Sequence, residues 1–315
     1  MFRPTVGITM GDPAGVGPEV IVKALKRSNL RSLCHPVVIG SSAVMRRAGG
    51  DELTIIDCVK VDLRTIRPGK ISPEAGQAAA EALTAATQMT LDGRLTALVT
   101  APVCKQALHL VGHRYPGQTE LLATLTGTKR FAMMLLVGKL RVVLVTTHLP
   151  ISAVSGAITK AGVLNTILLA HSALRERFGI AQPRVAVCAL NPHAGEGTIF
   201  GHEEKRIVAP AIREASRQGV SVHGPFPADA LFAPRMRRDW DVIVAMYHDQ
   251  GLIPIKMRGF GRAVNTTLGL PIIRTSPDHG TAFEIAGKGV ANPESMSRAI
   301  RLAVQFAKAR RRKTS

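Results

Sequence analysis

Acidic residues, aromatics, cysteines and long apolar runs are all scarce in this chain. Its 315 residues hold 22 acidic side chains against 41 basic ones, a formal net charge of +19. Such an excess invites a nucleic-acid reading. Aromatics make up only 4% of the residues, however, so the stacking platforms that hold single strands are few. The basic residues are dispersed, apart from the KARRRK run at Lys308–Lys313. That run reads as a solvated helix end or a frayed terminus. Nucleic acid is therefore not the expected partner, and the positive surface suits the steering of an anionic substrate and a dinucleotide. The four cysteines, Cys34, Cys58, Cys104 and Cys188, form no CxxC pair. Reduced thiols in a cytoplasmic protein are the expectation, and the adjacent Cys34 and His35 have no matching pair with which to hold zinc. No window holds eighteen uninterrupted apolar residues, so no transmembrane helix and no membrane partner is expected. The start, MFRPTVGITMGD, leads directly into a strand without the apolar region of a signal peptide.

What is abundant is alternation. With 46% hydrophobic residues, the chain can build one large or two medium domains. Strand-like and helix-like patterns succeed one another throughout, which is the signature of an α/β fold. VGITM (6–10) reads as a strand, Gly11–Gly17 as a loop, and PEVIVKALKRS (18–28) as a helix with proline in its first turn and Glu19 at its positive end. HPVVIG (35–40) and LTALVTAP (95–102) read as strands. Between them SPEAGQAAAEALTAATQMTL (72–91) reads as an alanine-rich helix with a serine cap. FAMMLLVG and LRVVLVTT predict a hairpin about Gly138. Helices are expected over 165–178, 203–218 and 294–311, and strands at RVAVCAL and DVIVAMY.

Three histidines follow strand-like runs: His148 in VTTHLP, His193 in LNPHAGEG and His248 in AMYHDQG. A strand delivers its last side chains into the crevice at the sheet's end, where ligands bind in open α/β sheets. Three imidazoles gathered there make an open metal site with a position left for a substrate oxygen. The competing reading is three unrelated polar strand ends. Small, turn-forming neighbours beside each histidine favour the metal site, and none is expected on a regular polar helix face.

Two further segments belong together, GDPAGVGPEV (11–20) and HGTAFEIAGKGVANPES (279–295). The first lacks the GxGxxG spacing of a Rossmann loop and is weak alone. In the second, glycines permit close backbone approach to a ligand, and Glu284 can accept hydrogen bonds from a ribose diol. Together the two resemble the isocitrate/isopropylmalate dehydrogenase superfamily. With histidines where most relatives carry aspartate ligands, the chain resembles one branch, the 4-hydroxythreonine-4-phosphate dehydrogenase family of pyridoxal phosphate biosynthesis with its D-threonate and D-erythronate 4-phosphate paralogues. The resemblance runs nearly end to end through GDPAGVGPE, APVCK, TTHLP, LNPHAGEG, GPFPAD, AMYHDQG, GFGRAVN, LGLPIIRTS and DHGTA.

That resemblance implies a two-domain isocitrate/isopropylmalate dehydrogenase-like α/β fold with the active site in the interdomain cleft. Residues 1–130 with 260–315 would form a nucleotide-binding domain from both chain ends. Residues 131–259 would form a central domain with the metal ligands and a dimer interface. It implies one divalent metal per site, usually zinc with magnesium or cobalt as other choices, held by His148, His193 and His248, the third from the neighbouring subunit of a homodimer. Lys256, Asn265 and Arg274 would bind a phosphorylated substrate, charge and directed donors being what a phosphate needs. Lys256 and Arg274 follow apolar runs, so their side chains are expected to leave the ends of buried segments. Asp229 would be a further substrate residue, with a helix cap as its alternative. Gly11, Asp12, His279, Gly280, Glu284 and Asn292 would contact the cofactor. One position departs from the family: GHTE is replaced by Gly117-Gln118-Thr119-Glu120. Gln118 and Thr119 then face substrate, with a glutamine that cannot titrate where a histidine is usual.

The expected chemistry is oxidation of the C3 hydroxyl of a 4-phospho hydroxy acid, with hydride passing to NAD, followed by decarboxylation of the β-keto acid. The carboxylate of Glu284 favours NAD over NADP. Lys105 and Asp249 are the candidates for proton handling, with a surface lysine and a carboxylate that orients His248 as the alternatives. D-threonate or D-erythronate 4-phosphate is the alternative substrate. A cis-dihydrodiol dicarboxylate is a further one, disfavoured because it would not need the phosphate clamp.

Overall fold

The computed structural model describes residues 2–27 and 29–314. Met1, Ser28 and Ser315, touched by the expectations for the first strand, the first helix and the terminal domain, lie outside the described residues. In chain order the strands among these are β1 (Thr5–Thr9), β2 (His35–Gly40), β3 (Ile55–Asp57), β4 (Ala97–Thr100), β5 (Ala132–Val137), β6 (Leu140–Leu144), β7 (Val185–Cys188), β8 (Val222–Phe226), β9 (Val242–Ala245), β10 (Val264–Leu268) and β11 (Arg274–Pro277). The chain divides into two compact units, Met1–Lys129 with Val264–Thr266 and Leu270–Ser315, and Arg130–Ala263 with Thr267–Gly269. Residues 130, 260–263 and 267–269, read from the sequence into the terminal domain, group with the central unit instead. Packing is the reason. Leu268 sits in that unit's apolar core, and Gly269 and Gly259 lie too close to Arg130 and Val137 to accommodate a Cβ.

The first unit orders its strands β3-β2-β1-β4-β11-β10. All pairs are parallel except β10 with β11. β1 and β4 are buried along almost their whole length, as strands covered on both faces must be. The Pro73–Leu91 helix starts where Ser72 Oγ accepts the Ala75 amide at 3.2 Å, with proline at its first position. Gly76 brings that helix so close to Ala107 that no side chain would fit there.

In the second unit the order is β5-β6-β9-β7-β8, parallel except for the β5–β6 hairpin. Gly138 turns that hairpin at φ 58°. Alternate residues feed two cores. Val143, Val187 and Val244 pack with Val163, Ile167, Leu174 and Ala211 from the helices on one face. Val142, Ala186, Ile243 and Ala245 pack with Leu252 and Ile255 on the other. The expected 165–178 helix begins earlier, at Lys160, because Thr159 Oγ1 caps it through the Gly162 amide at 3.0 Å. The expected 203–218 helix opens as a π-turn over Glu204–Val208 before Ala209–Arg217 becomes α-helical. No single helix among the described residues is long and apolar enough to cross a membrane.

Candidate active site

In the second unit the parallel strands β6, β9 and β7 end side by side, and each end leads to one of the histidines. Polar side chains tie these ends together. Thr146 donates both its amide and its hydroxyl to Met246 O, at 3.1 and 2.7 Å. Gln250 accepts the Met246 amide and donates to Ala189 O, both at 2.7 Å. The segments before His148, His248 and His193 are thereby linked, β6 to β9 through Thr146 and β9 to β7 through Gln250. The His148 and His248 rings of one chain lie with centroids 5.8 Å apart, tilted by 41°, whereas the resemblance gave His248 as the ligand from the neighbouring subunit. Two imidazoles on one tetrahedral ion, with metal–nitrogen distances of about 2 Å, would have comparable centroid spacing. His248 Nδ1 lies 2.6 Å from Asp249 Oδ1, a contact that orients the ring and leaves Nε2 as its second ring nitrogen for another partner.

The sequence reading placed none of the three histidines on a regular polar helix face. His248 is in fact the first residue of the His248–Gly259 helix, because the chain turns helical immediately after β9. Lys256 is exposed in the last turn of the same helix. Its apolar run is not a buried segment, since helical periodicity turns Ile255 inward and leaves Ile253 at the surface.

His193 sits on a loop of unusual backbone. His193, Ala194, Glu196 and Thr198 all have positive φ, between 37° and 94°. Non-glycine residues held so cost of order 1 kcal/mol or more each. The buried Glu204 braces the loop, its carboxylate accepting the Leu190 and Asn191 amides at 2.9 and 2.8 Å and the Asn191 side chain at 3.0 Å. Asn191 also donates to Glu203, whose hydrogen bonds, led by that from Ser155, hold its carboxyl down to about 2. A cavity of about 370 Å³ opens beside the loop, between Ala194, Thr198, Lys205 and Pro225. His193 itself packs at 6.0 Å from Phe200. Among the described residues, no three of histidine, cysteine, aspartate and glutamate come together closely enough in one chain to hold a metal ion. Exposed apolar side chains follow each histidine in sequence: Leu149 and Ile151 after His148, Ile199 and Phe200 after His193, and Ile253, Met257 and Phe260 along and just after the helix that His248 begins. Asp229 is exposed in the first turn of the Ala228–Phe232 helix, where it favours the positive helix end.

In the first unit Arg274 starts β11 and is 2% exposed, so its side chain does not emerge from a buried segment as expected. Its Nε and one terminal nitrogen donate to Thr100 Oγ1 at 3.1 and 2.8 Å. Burial lowers its pKa to about 10 against the opposing charge of Glu120. Asn265 lies on β10 opposite Ser276, with a buried Oδ1 that has no hydrogen-bond partner. Thr119 is buried. Gln118 Nε2 donates to Ala101 O at 3.1 Å, leaving a buried Oε1 without a partner. Lys105 is exposed at the start of the Lys105–Leu110 helix.

The two glycine-rich segments meet in this unit. The Val16 amide donates to Thr281 O at 2.9 Å, and Glu19 Oε1 accepts the Ala291 amide at 2.9 Å and Lys23 at 2.6 Å. Gly11, at φ 72°, packs against Pro102 where a Cβ would clash. Asp12 is buried and accepts the Ala14 amide at 2.8 Å; burial raises its pKa, and its Oδ2 has no partner. Gly280 and Glu284 are exposed, His279 Nε2 is buried without a partner, and Asn292 Oδ1 accepts the Glu294 amide at 2.9 Å at the start of the last helix. A cavity of about 260 Å³ lies between the segments, lined by Gly15, Arg47, Gly287 and Gly289. Glycine backbone, orphaned acceptors and a concavity fit a dinucleotide.

Sequence reasoning missed Thr100, Thr146, Glu204 and Gln250. Each is a polar side chain whose partner is distant in sequence or on a neighbouring strand end. The one local signal was a polar residue next to an apolar strand run, as Thr146 is.

A family model described as pyridoxal phosphate biosynthetic protein PdxA matches residues 23–303. The chain is 45% identical over 322 residues to a 4-hydroxythreonine-4-phosphate dehydrogenase of Desulforapulum autotrophicum, covering 96% of this chain and 95% of that protein. It is also 45% identical over 327 residues to a D-threonate 4-phosphate dehydrogenase of Cupriavidus necator, covering 97% and 98%. A crystal structure of 4-hydroxythreonine-4-phosphate dehydrogenase from Klebsiella pneumoniae superposes with a TM-score of 0.86 at 42% identity, covering 97% of this chain and 100% of that one.

Proposed function

We propose the reaction of this chain from the premise that it belongs to the pyridoxal phosphate biosynthetic protein PdxA family: NAD- and divalent-metal-dependent oxidation of the C3 hydroxyl of 4-hydroxythreonine 4-phosphate, followed by decarboxylation of the β-keto acid. The observation that carries it is the tying together of three adjacent strand ends that lead to the histidines, with the His148 and His248 rings 5.8 Å apart. Imidazole donors suit zinc. A divalent ion held there supplies Lewis acidity, of the kind that lowers the pKa of water from about 16 to about 7. The C3 hydrogen leaves as hydride to the nicotinamide, the hydroxyl proton goes to a base, and the resulting β-keto acid loses carbon dioxide.

His148, His193 and His248 are the proposed ligands, with one of the three donated by a second copy of the chain. The exposed apolar side chains that follow each histidine in sequence support such a homodimer, because apolar surface left in water near a site favours an interface. Asp249 orients His248. Lys105 is the candidate for taking the proton. Lys256, Asn265 and Arg274 serve the phosphate, Arg274 being held rigid by Thr100. Asp229 and Thr119 complete the substrate residues. Gly11, Asp12, His279, Gly280, Glu284 and Asn292 serve the dinucleotide, with exposed Glu284 on the ribose diol. The free thiols support a cytoplasmic setting.

Gln118 favours a second reading. D-threonate 4-phosphate differs from 4-hydroxythreonine 4-phosphate at C2, and the two named relatives are equally similar to the chain. With Nε2 on Ala101 O, the group left to Gln118 is an acceptor, which a C2 ammonium or a C2 hydroxyl can satisfy. The test is NADH formation from each substrate, with zinc present and after chelation, and with NADP+ as control. Metal-dependent NADH from the 4-hydroxythreonine ester is expected. Turnover of D-threonate 4-phosphate alone would replace the substrate, and turnover of neither, with oxidation of a cis-dihydrodiol dicarboxylate, would overturn the reading.

A further inference from the structure

A second cavity of the central unit, of about 860 Å³, lies at the end of the sheet away from the histidines. Its floor is the beginning of β6 and β9, with Leu140, Arg141, Val242 and Ile243 among its lining residues, whereas His148 and His248 follow the ends of the same strands. A strand of this length separates the two by about 15 Å.

The cavity is lined by five cationic side chains, Lys139, Arg141, Arg237, Arg238 and Arg258. They come from the β5–β6 turn, the start of β6, the short 3-10 turn Met236–Asp239 and the end of the His248–Gly259 helix. Among the described residues, the one carboxylate of the lining is Asp241. Its carboxylate accepts the Arg184 amide at 2.8 Å and faces the Arg184 side chain at 4.0 Å, and within the set its charge acts on Arg141. No ion pair among the described residues uses Lys139, Arg237, Arg238 or Arg258. Desolvation and the neighbouring charges of Arg258 and Arg238 hold Arg237 below the usual guanidinium range. Like charges gathered in a concavity destabilise one another unless an anion joins them.

Two donors in the wall also lack partners. Arg141 spends one terminal nitrogen on Asp241 O at 3.0 Å and lies 4.5 Å over the Phe178 ring, but its Nε is buried with no hydrogen bond. Trp240, packed between His223 and Phe226 at 5.2 and 5.5 Å, likewise has a buried Nε1 with none. Buried donors left unmade cost about 1–3 kcal/mol each.

We infer that this cavity binds a small polyphosphate, a ligand carrying two or more adjoining phosphate groups, in a site separate from that of the proposed reaction. Its volume falls in the range of small-ligand pockets. Several guanidinium forks with few acidic neighbours suit adjoining phosphates better than a single carboxylate. The site requires nothing of the histidine corner and stands whether or not the proposed reaction is correct.

The probe is inorganic tripolyphosphate, titrated calorimetrically into the metal-loaded full-length protein at about 0.15 M salt, where surface attraction is largely screened. One saturable site per chain is expected. Arg237→Gln/Arg238→Gln should weaken it by at least about tenfold, and Lys139→Gln should weaken it measurably. His193→Ala should leave it intact, and NADH formation by the arginine variant without tripolyphosphate should be unchanged. Three results would overturn the inference: no saturable binding; binding abolished by His193→Ala but retained by the arginine variant; or duplex DNA held through these arginines while tripolyphosphate is not.

Discussion

Gln118 is the side chain at which the proposed substrate choice can be tested most directly. Its amide nitrogen is committed to Ala101 O and its Oε1 is buried without a partner, so a ligand donor is the natural complement. A histidine there can titrate and donate, and it would meet the C2 substituent differently. Gln118→His should therefore change the ratio of kcat/KM between 4-hydroxythreonine 4-phosphate and D-threonate 4-phosphate. One hydrogen bond to a charged or neutral group is worth about 1–3 kcal/mol, or about 5- to 150-fold. A ratio unchanged within about twofold would place Gln118 away from C2. Arg274 shows why residue identity alone is an incomplete guide. The resemblance implied a phosphate role for it, but not that it lies buried on Thr100.

At the scale of elements, the relevant unit is a strand end and what ties it to its neighbour. Gln250 bridges Met246 and Ala189, both buried, from the first turn of the helix that His248 opens. Gln250→Leu removes both bonds and leaves two buried backbone groups unpaired, so the unfolding free energy should fall by about 2–6 kcal/mol, about 1–3 kcal/mol for each group. Because the bridge holds the strand ends that deliver His193 and His248, zinc affinity measured by chelator competition should also fall, by about 10- to 100-fold as for other residues that position ligands. Gln250→Glu, which keeps the acceptor for Met246, should recover part of that affinity. A stability loss with zinc affinity intact would reduce Gln250 to a structural role. The strained loop over His193–Thr198 belongs to this scale too, since Glu204 supports it from the π-turn that follows.

For the whole molecule the question is how many chains make one site. A single chain gathers His148 with His248, and no three metal-binding side chains among the described residues meet. Single His→Ala variants at 148, 193 and 248, each inactive, can be co-refolded in the three possible pairs. A heterodimer regains one intact site when the two lesions lie on opposite sides of the interface, and none when they lie on the same side. Recovery to about half of wild-type activity per dimer is expected in two of the three pairs, and the histidine common to both is the one donated across. Failure of every verified heterodimer would argue that each site lies within one chain.

From the chain alone, the alternation of β-branched runs with capped helices determined the α/β class, and Ser72 and Gly138 could be placed as a cap and a turn because both depend on a few adjacent residues. The ordered motifs likewise carried the family and named the three histidines. Tertiary structure decided what those residues touch. That Thr146 and Gln250 tie three strand ends, that Glu204 braces the His193 loop, and that Leu268 draws residues 267–269 into the central unit all depend on pairings between distant segments. The cationic cavity is the clearest case: Lys139, Arg141, Arg237, Arg238 and Arg258 look like dispersed surface charge in sequence and share one concavity only after β6 and β9 pair. Periodicity and capping are short-range physics, carried by each segment on its own. Which strand ends and charges become neighbours is set by long-range packing, and no local pattern encodes it.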